Sequence, residues 1–360
     1  EQIREINIKN YSILLEPVSR NTAAAITIAV LKALQLEENP IIIVLASDHE
    51  IHDDELFIKA LQAGVNYAKK NRIVTYGILP TSPETGYGYI KSKKPLSNSN
   101  LKGEEIIEFL EKPSLEKAKK LMEDKRFSWN SGIFMFKGKT LLNEIQQFAP
   151  DIYENCKISI SKSTKDLDFQ RLDKSSFEKC ADISFDIAVM EKTTKGTVIP
   201  LNCGWNDIGS WKAVWESSLK DKDGNYSKGK IITEKTQNCY LSSENKLLVG
   251  IGIKDLIVVD TNDAILISNQ DDSQLVKNVV QKLKARNIDE GQKHTKIYRP
   301  WGHYETIINN YRWQLKLIHV KPGEKLSLQM HHHRSEHWVV VSGTAEVELN
   351  ELTKILSENE

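Results

Sequence analysis

The sequence predicts an α/β domain, then a small β-rich connector, then the start of a β-barrel. Three patterns carry that reading. Apolar strand-like runs alternate with helix-period stretches through the first half of the chain. From about Ile231 to Ile267, short strand runs are separated by Gly, Asn and Asp turns. After Lys296 the pattern is strand alone, with runs at Trp313–Val320, Lys325–Met330, Trp338–Val341 and Ala345–Leu349.

The elements follow in order. Ile13–Leu15 is a short apolar run ending at Glu16-Pro17. Asn21 or Thr22 is placed to cap the next helix, Thr22–Leu36, which is apolar almost all round and so is expected to be buried. Ile41–Ala46 is continuous and β-branched, as a central parallel strand would be. Phe57, Ala60, Leu61, Val65 and Ala68 share one face of a helix, and Ile73–Leu79 is the next strand. This rhythm implies a parallel sheet with helices on both faces. A polar loop, Lys91–Lys102, precedes a strand at Ile106–Leu110, a capped helix at Ser114–Asp124 and a strand at Trp129–Phe136. Ser159–Lys179 is polar and reads as a surface excursion, and residues 196–219 return to strand, Gly-Trp turn and helix. Asp272–Arg286 reads as a helix burying Leu275, Val276, Val279, Val280 and Leu283, and Asn287–Lys296 as a charged linker. The domains are therefore expected at 1–228, 229–288 and 289–360.

Composition narrows the function. The 360 residues carry 49 Lys+Arg against 49 Asp+Glu, with 40% apolar and 27% charged residues, the mix of a soluble globular protein. Zero net charge without basic clusters argues against nucleic acid or an anionic membrane as the main partner. The longest apolar runs, such as Ile41–Ser47, are too short to span a bilayer, and no signal peptide is visible. Cys156, Cys180, Cys203 and Cys239 lack C-x-x-C spacing, which fits a cytoplasmic location and no structural zinc. One count is uneven: four of the nine histidines lie within His331–His337.

Several segments can carry chemistry. Asp48 follows an apolar strand in L-A-S-D-H, where open α/β sheets bind ligands. A carboxylate there can hold Mg²⁺ beside phosphates, though it can equally cap a turn. Asp207 lies in G-W-N-D-I-G-S-W, where two glycines suit a tight turn near a ligand and Trp205 and Trp211 suit core anchors. Lys112, in F-L-E-K-P, can present a point charge to phosphate or be an ordinary surface lysine. Gly86-Tyr87-Gly88 permits close backbone approach, or forms a plain turn, and Trp129-Asn130-Ser131-Gly132 combines an aromatic plate with polar donors suited to a hexose, or a strand start with a buried Trp.

Together, L-L-E-P-V-S-R-N-T-A-A-A (Leu14–Ala25), L-A-S-D-H, T-S-P-E-T-G-Y-G-Y-I (Thr81–Ile90), F-L-E-K-P, W-N-S-G-I-F-M-F (Trp129–Phe136), S-F-D-I-A-V-M-E-K (Ser184–Lys192) and C-G-W-N-D-I-G-S-W follow in order. In this the chain resembles the bacterial mannose-1-phosphate guanylyltransferases of the long type that carries a phosphomannose isomerase domain. The resemblance implies a Rossmann-like domain with a mixed, mostly parallel sheet. It implies the reaction GTP plus mannose 1-phosphate to GDP-mannose plus pyrophosphate, a step toward polysaccharide precursors. By resemblance, Glu16, Arg20, Asn21 and Thr22 lie by the base, and Asp48 and Asp207 hold Mg²⁺. Gly86, Tyr87 and Gly88 form the sugar-side loop, Glu111 and Lys112 meet the sugar and its phosphate, and Asn130 and Asp186 lie at the sugar. Ser19 stands where the family usually has Gly.

Both reactants are anions, so positioning and electrostatics should do most of the catalysis, with no nucleophilic side chain needed. The family's glycine-rich triphosphate loop is absent, and the chain starts Glu1-Gln2-Ile3 without Met. The expectation is a fragment cut at both ends, with weak GTP binding and little turnover of its own.

Pro322–Ala345 contains M-H-H-H-R-S-E-H-W. On a strand, His331 and His333 share a face and can give two imidazoles to one divalent metal, with Glu336 or His337 as a further ligand. The other reading is a polar edge strand. This stretch and Arg299–Tyr304 resemble the cupin-type isomerase domain, which implies Zn²⁺, Co²⁺ or Mn²⁺ and interconversion of mannose 6-phosphate and fructose 6-phosphate, with Glu336 as a candidate base. Two alternatives stand beside this bifunctional enzyme. One is a monofunctional guanylyltransferase whose cupin only binds a metal or sugar phosphate or serves assembly. The other is a glycosyltransferase, which shares the α/β architecture. No nucleic acid or membrane partner is expected, and a homo-oligomer is compatible with the sequence.

Overall fold

The computed structural model describes residues 3, 6, 8–166, 169–291, 294–326, 328–330, 335–349 and 352–360. The chain forms two units, Glu1–Lys293 and His294–Glu360.

In the first unit, β1 (Ile13–Leu15) leads into α1 (Asn21–Leu36), β2 (Ile41–Val44), α2 (Asp54–Ala68) and β3 (Ile73–Ile78). Next come β4 (Tyr89–Ser92), β5 (Glu104–Leu110), α3 (Leu115–Glu123) and β6 (Phe127–Lys137). The helices α4 (Gly138–Phe148) and α5 (Pro150–Ser161) precede a hairpin of β7 (Thr164–Asp166) and β8 (Phe169–Arg171). The short α6 (Lys174–Phe177), β9 (Gly196–Pro200) and α7 (Trp211–Ser217) complete the α/β part.

The main sheet has the order β2-β6-β3-β9-β5-β4, with β4 also pairing β6. The 11-residue strand β6 shows the period of two directly. Phe134 and Phe136 of β6 face a core built with α1, α4 and α5, while Ile133 and Met135 face a second core built with α2. Gly64 brings α2 down onto the sheet, because a Cβ there would overlap the hydroxyl of the buried Tyr76. Ser114 caps α3 by accepting from the Lys117 N–H, and Asp53 caps α2 by accepting from Leu56 N–H.

Four local expectations are corrected. The helices do cover both faces, but among the described strands of this sheet only β3–β9 runs parallel, and β2, expected to be central and parallel, pairs antiparallel with β6 at a sheet edge. A continuous β-branched run reports burial on both faces, not strand direction. At the start of α1 neither side chain makes the usual cap: Asn21 accepts only from the adjacent Thr22 N–H, and the Thr22 hydroxyl accepts from Phe185 N–H. Residues 159–179 are only in part a surface excursion: much of the described stretch is exposed, but Ser159, Leu172, Ser176 and Phe177 are buried and β8 pairs with β1.

The fourth correction concerns the connector. It comprises β10 (Tyr226–Lys228), β11 (Ile231–Glu234), β12 (Tyr240–Ser243), β13 (Leu248–Ile251), β14 (Leu256–Asp260) and β15 (Ile265–Asn269). β10, β12 and β14 pair in parallel, as do β11 and β13, so the chain coils through short stacked strands. Cys239, Leu241 and Val258 point inward, while Tyr240, Ile257 and Val259 pack on α7 through Trp211, Val214 and Trp215. After a 3₁₀ turn, α8 (Val276–Ala285) follows with no buried residue. The expected buried stripe is only half-covered: Val276, Val280 and Leu283 are half-buried, while Leu275 is 54% exposed and Val279 51%. Helical spacing defines an apolar face but not what it meets.

The second unit holds an antiparallel sheet of β16 (Lys296–Arg299), β17 (Gly302–Asn309) and β18 (Gln314–Val320), and a hairpin of β19 (Ala345–Leu349) and β20 (Leu352–Leu356). The described residues of Lys325–Met330 and Trp338–Val341 are irregular, not the strands expected. Among the described residues, no helix is long and apolar enough to cross a membrane.

Candidate active site at one end of the sheet

Register places the motifs. Trp129, near the start of β6, pairs with Ile78 at the end of β3 and with Tyr89 at the start of β4, which in turn pairs with Leu110 at the end of β5. Loops leaving β2, β3, β5 and β9, and the loop entering β4, therefore meet at one end of the sheet, where open α/β sheets keep their ligand crevice.

Asn130 is the hub on the sugar-motif side. The Thr75 hydroxyl donates to Asn130 Oδ1 at 2.9 Å, which turns the amide so that Nδ2 donates to Asp186 Oδ1 at 2.9 Å. Asp186 opens a single π-helical turn, Asp186–Met190, a local irregularity common at functional sites. Burial first, then the Glu111 carboxylate, push its pKa up to about 6, against Asn130 and Lys112. Lys112 lies 3.0 Å from Glu111 with a left-handed backbone (φ 44°), and it is exposed. Gly88 lies close to this pair: a Cβ there would come within 2.8 Å of Glu111 Oε2, so a larger residue would push the carboxylate aside. Gly86 has open space around it.

The two aspartates come from segments that are stitched together. Glu50 and Asn206 exchange backbone hydrogen bonds at 2.8 and 3.0 Å, so the chain after Asp48 is held beside the chain before Asp207. Asp207 Oδ1 accepts from the Tyr87 hydroxyl at 3.1 Å and from Gly209 N–H at 3.0 Å. The next residue, Ile208, has φ 48°, a strained conformation for a β-branched side chain. Tyr87 also stands edge-on to Trp129 and Trp205, with centroids 5.2 and 5.5 Å apart. It thus ties the glycine loop to the aspartate.

The segment expected at the base is braced elsewhere. Arg20 Nε and Nη2 both donate to the Glu178 carbonyl, Ala23 N–H donates to Ile183 O, and Thr22 accepts from Phe185. Burial raises the Glu16 pKa. Among the described residues no hydrogen bond links this segment to Asp48 or Asp207, and its connection to the site runs through residues 183–186. Three participants were missed from sequence. Thr75 is hidden in an apolar strand. Trp205 read as a core anchor, yet its Nε1–H donates to His49 Nδ1 at 3.2 Å. His49 follows Asp48 directly in L-A-S-D-H. Burial lowers its pKa, while Asp48 and Asp207 pull the other way.

The donor chemistry fits a hard cation. Both Asp48 and Asp207 are near enough to His49 to act on its charge, and both bonds to Asp207 fall on Oδ1, leaving Oδ2 as the oxygen a cation would take. Among the described residues no group of three or more His, Cys, Asp or Glu is placed to hold a metal. In the second unit, His331 and His333 lie outside the described residues. Glu336 and His337 are exposed in an irregular segment, with Glu336 Oε2 accepting from Trp338 Nε1. The described residues from 335 to 341 form no strand.

A mixed α/β sheet with paired aspartates and a glycine loop at one end defines a nucleotidyltransferase. Residues 1–224 match the family described as nucleotidyl transferase, 229–283 the MannoseP isomerase/GMP-like beta-helix domain, and 286–360 the mannose-6-phosphate isomerase C-terminal family. The chain belongs to the mannose-1-phosphate guanylyltransferase family. It is 46% identical over its whole length to a mannose-1-phosphate guanylyltransferase of Salmonella montevideo and 44% identical to one of Escherichia coli K12, covering 76% of each. Among solved structures, it is similar to one titled mannose-1-phosphate geranyltransferase from Thermus thermophilus, with TM-score 0.64 and 28% identity over 75% of this chain and 77% of that one. It is also similar to a mannose-6-phosphate isomerase from Helicobacter pylori, with TM-score 0.52 and 31% identity over 57% of this chain and 78% of that one.

Proposed function

We propose that the α/β part transfers the guanylyl group of GTP to mannose 1-phosphate, giving GDP-mannose and pyrophosphate, and that residues 289–360 belong to a mannose-6-phosphate isomerase domain. The convergence of Asp48, Tyr87, Glu111, Lys112, Asn130 and Asp186 with Asp207 at one end of one sheet is the observation that supports this most.

The chemistry follows from charge. A phosphate oxygen of mannose 1-phosphate attacks the α-phosphorus of GTP in line, and pyrophosphate leaves. Asp48 and Asp207 would hold Mg²⁺, which when bound supplies positive charge against the phosphates. Lys112 holds the sugar phosphate, and its salt bridge to Glu111 aims the ammonium. Asn130 and Asp186 orient hexose hydroxyls, with Thr75 fixing the amide. Arg20 has two donors engaged by Glu178, so it shapes the base segment with Glu16, Asn21 and Thr22. At the isomerase end, His331 and His333 are the proposed metal ligands, with Glu336 or His337 as a further one; with His337 in that place, Glu336 is the proposed base.

Pyrophosphate release by the intact protein is the test. It should require both GTP and mannose 1-phosphate. Transfer of a sugar from a sugar nucleotide without pyrophosphate would instead select the glycosyltransferase reading.

A further inference from the structure

His49 has no role in the proposed reaction, yet its surroundings are specific. An indole N–H can only donate, so the 3.2 Å contact from Trp205 Nε1 requires Nδ1 to be the accepting nitrogen. The neutral ring then carries its proton on Nε2. Trp205 also meets the imidazole edge-on, at 5.2 Å and 88°, which fixes its plane. The carbon between the two nitrogens faces Gly132: a Cβ built there would lie 3.6 Å from His49 Cε1. Gly132 belongs to the same strand as Asn130 and has φ 69°. The ring therefore sits between the sugar-motif strand and the two aspartates. No hydrogen bond is formed by Nε2 among the described residues.

We propose that His49 is a phosphate ligand: its Nε2–H donates to a phosphate oxygen of one of the two reactants, in a tautomer set by Trp205. The inference rests on the guanylyltransferase reading. A neutral donor suits the place. A lysine beside Asp48 and Asp207 would form ion pairs with the carboxylates and compete with the cation they are to hold, whereas a neutral imidazole N–H forms no ion pair. The Trp205 bond makes the ring a donor toward the reactants before either arrives, so no reorientation is needed on binding.

The test uses the intact protein with His49→Ala, His49→Gln and Trp205→Phe. Removal of the donor in His49→Ala should slow pyrophosphate release about 10²-fold, the scale of one donor aimed at developing charge. His49→Gln, whose amide can supply an N–H, should recover part of that. Trp205→Phe keeps a ring and should cost about two- to tenfold, as loss of one neutral hydrogen bond does. A rise confined to the KM of mannose 1-phosphate, or to that of GTP, says which phosphate is held. Histidine-labelled ¹⁵N spectra give a second readout, with the Nε2–H form of His49 shifting when mannose 1-phosphate or GTP is added. Unchanged kcat and KM in a folded His49→Ala would overturn the proposal, and so would a His49 signal that neither reactant moves. If His49→Ala does not fold, the spectra and the other two variants decide. An inactive wild type whose Nε2 signal still shifts would instead remove the guanylyltransferase reading while keeping the site.

Discussion

The chain carries two motif-defined regions, and they behave differently. In the α/β part, motifs far apart in sequence are drawn to one end of a sheet, where Asn130 bonds to Asp186 and Tyr87 to Asp207. In the second unit the histidine motif is compact in sequence, but β18 is exposed along its length and Trp338 meets Glu336 only two residues away. A buried sheet converts distant motifs into geometry, whereas a dense local motif yields ligands only when the strands around it pack.

The largest test of that contrast removes a carboxylate. Asp207→Ala should lower pyrophosphate release by about 10²–10³-fold, the loss expected when charge stabilisation is removed, and leave isomerase activity of the intact protein unchanged. His331→Ala with His333→Ala should do the reverse. Equal loss of both activities in either variant would break the separation. Next in size, Lys112→Ala should raise the KM for mannose 1-phosphate about 10- to 100-fold, as one charge-assisted contact is worth, with little change in the KM for GTP.

A smaller effect concerns stability. Asp186 has its pKa raised from the usual 3.8 to about 6, so near pH 5 the folded protein keeps a proton that the unfolded chain has released. That contribution is complete below the unfolded value and is lost as pH rises through 6. Asp186→Asn should therefore raise stability by about 1–2 kcal/mol at pH 7.5, allowing for partial solvent access, and the gain should vanish below about pH 4 in urea titrations. The smallest effect is at the connector helix. Val279→Ser should change stability by less than about 0.5 kcal/mol, as at other exposed positions. A cost of about 2 kcal/mol or more would mean that the stripe is covered after all.

Much of this was legible in the sequence. Strand and helix positions in the first half follow from period, and the segments that meet at one end of the sheet are those that carry the motifs. What escaped depends on pairing. Nothing in Ile41–Val44 says that its partner is β6 running the other way, because branched side chains suit either direction. Thr75 and His49 are ordinary residues until the fold sets Asn130 and Trp205 against them. The polarity of residues 159–179 hid Phe177, which is fully buried.

The brace on Arg20 has a consequence for how the protein is made. Its partner carbonyl, on Glu178, lies 158 residues further along the chain, and β1 likewise waits for β8. Contacts of such long sequence separation form slowly, because loop closure must precede any gain. During synthesis the segment Glu16–Thr22 emerges early, yet it cannot take its final shape until the chain has grown beyond Phe185. The region proposed to meet the base is then one of the last parts of the domain to set.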